Sequence, residues 1–175
     1  LESALEHLQK GRYEEALEAF EALEEGGAEQ QAAGIALGRS RVFQSLGDWQ
    51  SAADVLQAAI KADDESAPLR ARLAEVLFLR GRYDESEKAA AEALKRDPDQ
   101  PLARLVQADL LRETGRIRDA LEGYRWFVRY YNRAQPEDAE TLMLVARGAC
   151  QYARLEPRSQ NQILRLAVSA LCTEV

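Results

Sequence analysis

Apolar residues recur along this chain with the spacing of an amphipathic α-helix, and the whole pattern returns after a nearly constant number of residues. The pattern is aligned by four glycines, Gly11, Gly47, Gly81 and Gly115, which are 36, 34 and 34 residues apart. Of the twenty positions that lie 5, 6, 9, 12 and 13 residues after these glycines, 17 are apolar, whereas a hydrophobic content of 46% would give roughly nine by chance. The pattern predicts a helical repeat of about 34 residues.

Each repeat has the residue types expected of a hairpin of two helices. Glycine readily adopts the left-handed backbone that ends a helix, so each glycine is predicted to lie at the corner of a hairpin. Two positions later comes a bulky residue that is expected to fill the wedge between the helices: Tyr13, Trp49, Tyr83 and Ile117. Five positions after the glycine comes a small residue that is expected to let the helices approach closely: Ala16, Ala52, Ser86 and Ala120. No run of residues alternates with the period of a strand, so the predicted fold class is all-α.

On these residues the chain resembles an array of tetratricopeptide repeats (TPR). The resemblance covers residues 1–133 and divides them into four repeats, at 1–30, 31–65, 66–99 and 100–133. The third repeat is the most similar, since it ends with Asp97-Pro98 as the family pattern does. What the resemblance implies is a right-handed superhelical α-solenoid of antiparallel helix hairpins, with a concave groove lined by the first helix of each repeat.

Residues 134–175 depart from the repeat pattern, and we interpret them as a degenerate fifth hairpin or a pair of capping helices. Pro136 and the acidic residues after it indicate a helix start, and this helix is predicted to run to about Ala153. A capping box at Ser159–Gln162 predicts a last helix. One side of that helix is apolar and could be covered by more chain or by a second subunit: Ile163, Leu164, Ala167, Val168 and Leu171.

The resemblance also implies which side chains face the groove. In the second to fourth repeats these partner-binding candidates mix apolar and charged groups, which suits a peptide or helix that offers both: Leu37, Arg41, Gln44, Ala71, Glu75, Phe78, Leu102, Leu105, Asp109 and Arg112. The Lys and Asn set by which some members of the family bind a C-terminal carboxylate is missing. Binding of chaperone tails is therefore disfavoured.

A second candidate surface comes from an unusual cluster of aromatic and basic residues in the fourth repeat. Tyr124 and Phe127 fall on the inward stripe and are expected in the core, whereas a secondary patch falls on another side of the same helix: Trp126, Arg129, Tyr130 and Arg133. Aromatic residues with arginine are enriched at the centres of protein interfaces. The alternative is that the hairpin formed by residues 137–153 buries them.

Charge and chemistry exclude several functions. The net charge is −7, and residues 1–65 alone hold 14 acids and 5 bases, so nucleic acid is not an expected partner. A membrane is not expected either, because the longest uncharged run has nine residues (30–38). We expect no metal and no cofactor. The only histidine, His7, falls at a packing position, and no nucleophile motif is present, so the chain is not expected to be an enzyme.

The sequence therefore favours a non-catalytic scaffold that binds another protein or peptide in its groove. Two alternatives stay open. The chain could be the repeat segment of a longer enzyme, for example a bacterial hydrolase or peptidase, since it starts at Leu1 within a helical pattern. It could also be a self-association module that forms homo-oligomers through Leu164, Val168 and Leu171. The two cysteines, Cys150 and Cys172, lack the pattern of a disulfide scaffold and favour the cytoplasm, with a processed exported protein as the alternative.

Overall fold

The computed structural model describes residues 1–27 and 29–156, and every regular element in these ranges is helical. A single 3₁₀ turn covers Glu29–Gln31. The α-helices, in chain order, are α1 (Glu2–Gln9), α2 (Tyr13–Glu25), α3 (Ala32–Ser45), α4 (Trp49–Ala62), α5 (Ala67–Leu79), α6 (Tyr83–Arg96), α7 (Pro101–Glu113), α8 (Ile117–Ala134) and α9 (Ala139–Leu155). The all-α prediction is confirmed. Consecutive helices pair as α1/α2, α3/α4, α5/α6 and α7/α8, which are the predicted hairpins.

The four aligned glycines lie at equivalent corners of the hairpins, as predicted. Each has a left-handed backbone, with φ between +70° and +76°. The residue after each glycine donates its backbone N–H to a carbonyl five residues earlier, for example Asp48 to Phe43 at 2.8 Å and Arg82 to Leu77 at 2.9 Å. This bond and the one that the glycine itself donates form the Schellman motif, which satisfies the last carbonyls of the first helix. The same pair of backbone hydrogen bonds therefore recurs at the corner of each of the four hairpins.

The interior of each hairpin confirms one prediction about residue size and corrects another. The four small residues five positions after the glycines are all fully buried, and they permit the close approach of the two helices. The bulky residues were expected to fill the wedge, and this is wrong for Tyr83 and Ile117, which are 40% and 45% exposed. Both begin their helix, where a side chain tilts towards the helix start and leaves part of its surface to solvent, although the Tyr83 ring still contacts Phe78 of α5.

The chain divides into two compact units, Leu1–Pro98 and Asp99–Val175. Unit 1 holds the first three hairpins, and its core includes clusters around buried residues such as Phe20 and Leu56. At one point the packing needs a residue without a side chain: a Cβ on Gly38 of α3 would lie 2.2 Å from the ring of Phe20. A larger residue at this position would separate α2 from α3.

Unit 2, as far as it is described, consists of the α7/α8 hairpin and α9. Helix α9 packs against both α7 and α8, around buried Tyr124 and Phe127. The predicted helix start after Pro136 is confirmed, because Asp138 caps α9 by accepting the backbone N–H of Thr141 at 2.8 Å. The helix predicted after Ser159, with its apolar side, lies outside the described residues.

Candidate protein-interaction surfaces

In unit 1, the candidate groove residues lie on α3 and α5, two first helices that contact each other. Ala71 is fully buried and serves the packing of the chain itself. The other candidates in this unit are each partly accessible, and we call them the first-helix surface: Leu37, Arg41, Gln44, Glu75 and Phe78. Two apolar groups are therefore presented together with charged and amide groups on neighbouring helices.

The polar groups of the first-helix surface are only partly engaged by the chain. Glu75 accepts a hydrogen bond from Arg72 at 2.6 Å, and both side chains are mostly buried. The amide nitrogen of Gln44 is buried and has no hydrogen-bond acceptor among the described residues. The ring of Phe78 packs against the ring of Tyr83, with centroids 5.6 Å apart. An apolar side chain of a partner could extend this ring pair.

In unit 2, most of the candidate groove residues belong to the core. Leu102, Leu105 and Asp109 are buried, and only Arg112 is partly accessible, where it pairs with Glu113 at 2.7 Å. The sequence predicted a groove face for α7, but α7 is also in contact with α9. Leu105 accordingly lies in the core cluster to which α8 and α9 contribute.

Asp109 is a buried carboxylate whose partner the sequence did not reveal. It accepts a hydrogen bond from the hydroxyl of Tyr124, which is itself fully buried. Burial raises the pKa of Asp109, and the Tyr124 hydroxyl and the charges of Arg112 and Arg147 only partly oppose this effect. Burial and the neighbouring carboxylate also raise the pKa of Tyr124, so this hydroxyl stays protonated and donates. The pair is a polar element of the core of unit 2.

The secondary patch forms a stack rather than a flat surface. Trp126 and Tyr130 stack with ring centroids 4.6 Å apart, and Arg133 lies over Tyr130 at 5.8 Å. The other end of the stack is closed by Arg104 of α7, which lies 5.6 Å from the centroid of Trp126. Both rings are partly buried against the core cluster of unit 2. Both rings therefore remain half-buried, and a role of the secondary patch in contacting a partner stays a prediction.

Two further residues complete the description of this stack. Asp99 holds Arg133 in place with an ion pair of 2.7 Å, whereas Arg129 is outside the stack and approaches Glu122 at 3.6 Å. Sequence reasoning missed Arg104 and Asp99, which come from α7 and the segment before it. No signal in the sequence of α8 indicates them, because the contacts depend on how the hairpin closes.

Two other classes of site are absent from residues 1–27 and 29–156. None of the helices there is both long and apolar enough to cross a membrane. The same residues hold no group of three or more His, Cys, Asp or Glu side chains arranged to bind a metal ion.

Comparison with solved structures finds proteins of the same fold. A thermophilic TPR protein of Thermus thermophilus is 25% identical, with a TM-score of 0.64 over 84% of this chain and 78% of that chain. MamA is 15% identical, with a TM-score of 0.58 over 98% of this chain and 94% of that chain. A tetratricopeptide repeat protein from Parabacteroides merdae is 13% identical, with a TM-score of 0.61 over 97% and 64% of the two chains.

Comparison by sequence identifies the family directly. None of the curated proteins matches the chain. Two models of the tetratricopeptide repeat match it, one at residues 1–43 and the other at residues 44–110. These matches are contiguous and include the corners at Gly11, Gly47 and Gly81 that define the period. The chain therefore belongs to the tetratricopeptide repeat family.

Proposed function

We propose that this chain is a non-catalytic protein-interaction module and that it binds a peptide or helix of another protein through the first-helix surface of unit 1. One observation carries the proposal: Leu37 and Phe78 are partly exposed apolar groups on α3 and α5, and Arg41 and Glu75 lie on the same two helices. Apolar anchors beside charged groups are what recognition of an amphipathic segment requires. Membership of the family supports the general role.

The rigidity of the array supports binding with little reorganisation. Helices α3 and α5 are each held by their own hairpin partner and by each other, so their side chains are positioned before a partner arrives. Association then costs mainly the ordering of the partner. Specificity would come from few contacts, because most interface residues contribute little to affinity.

The absence of catalysis is part of the same proposal, and two residues support it. His7 is half-buried in α1, and its Nδ1 has no hydrogen-bond partner among the described residues, so nothing there orients it as a general base. Cys150 is half-buried against the core cluster of unit 2. Within residues 1–27 and 29–156, no hydrogen bond joins either side chain to a group that could act as its base or nucleophile.

The test combines site-specific cross-linking with affinity measurements. A photoreactive amino acid replaces Phe78 in one sample and exposed Glu87 of α6 in a control, and each chain is irradiated in a cell extract. We expect a partner to be trapped from position 78 and not from position 87. Binding of that purified partner is then measured for the double variant R41E/F78A, which should be weaker by about thirtyfold if each side chain contributes about 1 kcal/mol to binding.

A control variant tests whether a loss of affinity is specific to the first-helix surface. The variant R118E/I117A makes the same kinds of change at two exposed positions of α8, and it should bind the partner as the unchanged chain does. Circular dichroism verifies that both variants remain helical. Equal affinity of R41E/F78A and the unchanged chain would show that the first-helix surface is not the binding site.

A further inference from the structure

Two clefts lie on either side of α4 in unit 1, away from the first-helix surface. One of about 390 Å³ is bounded by α2, α3 and α4, and the other of about 340 Å³ is bounded by α4, α5 and α6. Both volumes fall in the range of sites that hold small ligands or side chains. We call them the α2–α4 cleft and the α4–α6 cleft.

The two clefts are the same feature in successive repeats. Arg39 and Val55 line the α2–α4 cleft, and the residues 34 positions later, Leu73 and Ala89, line the α4–α6 cleft. The two clefts are therefore a product of the repeat. What differs between them is the chemistry of the side chains at equivalent positions.

In the α2–α4 cleft, the two charged side chains already pair with each other. Arg39 donates two hydrogen bonds to the carboxylate of Glu24, at 2.7 and 2.8 Å. In the α4–α6 cleft, Leu73 stands at the position of Arg39, and Ile60 stands at the position of Glu24. The second cleft therefore has apolar walls where the first has a salt bridge.

The rim of the α4–α6 cleft carries positive charges that the chain does not neutralise. Lys61 and Lys88 both line it and are exposed, and neither ammonium lies within ion-pair distance of a carboxylate of the described residues. By contrast, Arg70 at the same cleft pairs with Asp64, and Glu92 pairs with Lys95 and Arg96. Two free cations thus flank an apolar cavity.

These charges stand out against the rest of the unit. Residues 1–98 hold 20 acidic and 12 basic side chains, so unit 1 is acidic as a whole. At physiological ionic strength, charges more than about 8 Å apart are largely screened, and the nearest side chains decide what an incoming group meets. A carboxylate at this rim meets the ammonium groups of Lys61 and Lys88, while the charge of Glu92 at the same cleft is offset by its own pairs with Lys95 and Arg96.

We propose that the α4–α6 cleft is a second protein-binding site, which takes an apolar side chain of a partner segment whose neighbouring carboxylates pair with Lys61 and Lys88. Charge complementarity selects this occupant. A second copy of this chain is a poorer occupant, because two molecules that each carry a net charge of −7 repel each other. A short acidic segment brings only the carboxylates that the two lysines neutralise.

The test uses random peptides displayed on phage, panned in parallel on the full chain and on the variant K61E/K88E. We expect peptides with an apolar residue beside Asp or Glu to be enriched on the unchanged chain and not on the variant. A synthetic peptide with the enriched sequence is then titrated by fluorescence polarisation. K61E/K88E should weaken its binding by about tenfold, because two attractive charge pairs become repulsive.

Two further variants separate the cleft from general charge and from the first-helix surface. K10E/R118E changes the net charge by the same amount at exposed basic residues outside the cleft, and it should leave the affinity unchanged. A89L places a larger side chain in the cleft and should weaken binding by about tenfold as well. R41E/F78A should bind the peptide normally, since those residues lie on the other surface.

Three results would overturn the proposal. The first is enrichment of the same peptides on K61E/K88E, and the second is a selected peptide that loses affinity in R41E/F78A but not in K61E/K88E. The second result would still support the proposed function, so the two ideas fail separately. The third is a dimer in sedimentation that K61E/K88E abolishes, because the occupant would then be a second copy of this chain.

Discussion

The substitution G38A tests the packing of α2 against α3 with a control in the same helix. A Cβ on Gly38 would lie 2.2, 2.6 and 3.0 Å from three atoms of the Phe20 ring, whereas ordinary contact begins at 3.4 Å. The ring is fully buried among Ala16, Ile35 and Val42, so it has little room to retreat. One turn earlier in α3, a Cβ on Gly34 would meet only the side chain of Leu1, at 3.1 Å.

The two substitutions share one effect and differ in another. Replacing glycine by alanine inside a helix is worth about 1 kcal/mol in favour of folding, and this gain applies equally to G34A and G38A. Overpacking a core costs typically about 1–3 kcal/mol, and only G38A should suffer it. The free energy of unfolding of G38A should therefore be lower than that of G34A by about 1–3 kcal/mol.

Thermal unfolding followed by circular dichroism measures this difference. For a chain of this size, 1 kcal/mol corresponds to about 2–4 °C, so the melting temperature of G38A should be lower than that of G34A by about 2–12 °C. Adding F20L to G38A removes the clashing ring, and the cost of the alanine should then shrink by about 1 kcal/mol or more. Equal melting temperatures for G34A and G38A would refute the close packing of Phe20 on α3.

Three further predictions concern stability. Because burial raises the pKa of Asp109, the folded state favours its protonated form, so the stability that this group contributes is present at low pH and is lost as pH rises through the raised pKa. Urea unfolding measures this between about pH 4 and pH 7. As the pH rises, the unchanged chain should lose stability relative to D109N, and a difference that stays constant would contradict the prediction. Ser86 is fully buried, and its hydroxyl donates a hydrogen bond to the carbonyl of Ala74 at 2.7 Å. S86A should therefore lower the free energy of unfolding by only about 0.5–1.5 kcal/mol in the same assay. S86L should lower it further, because the larger side chain forces α5 and α6 apart. At the corner between these helices Gly81 has φ of +73°, so G81A should cost about 1–2 kcal/mol and G81N less, and equal costs would argue against a left-handed requirement.

The sequence predicted those parts of the fold that local chemistry determines. A glycine corner needs only a left-handed backbone and two hydrogen bonds, so Gly47 and Gly81 are recognisable without knowledge of the rest of the chain. The buried small residue five positions later follows from the period and from the closeness of two helices in a hairpin. The start of α9 was predictable for the same reason, because its cap at Asp138 is local.

Features that depend on contacts between hairpins were not predictable from the sequence in the same way. The position of Asp109 on α7 resembles a groove position, and only the packing of Tyr124 and of α9 makes it part of the core. Arg104 is likewise 22 residues from Trp126 in the chain, and no periodicity connects the two. In both cases the partner belongs to another helix, whose approach the pattern along one helix does not describe.

The clefts beside α4 show how one repeat can carry both a shared architecture and a particular specificity. Small residues inside a hairpin, such as Ala52, bring two helices together and are buried, whereas Ala89 on another side of a second helix lines a cavity. The two kinds of position look alike in the sequence, since both are small residues on a helix. Arg39 and Leu73 differ at one position of the period while the corners stay the same, so chemistry can change from repeat to repeat without cost to the hairpin. Partner recognition in such an array is therefore expected at positions where the residue type differs between repeats. Positions with the same residue type in every repeat instead stabilise the hairpins.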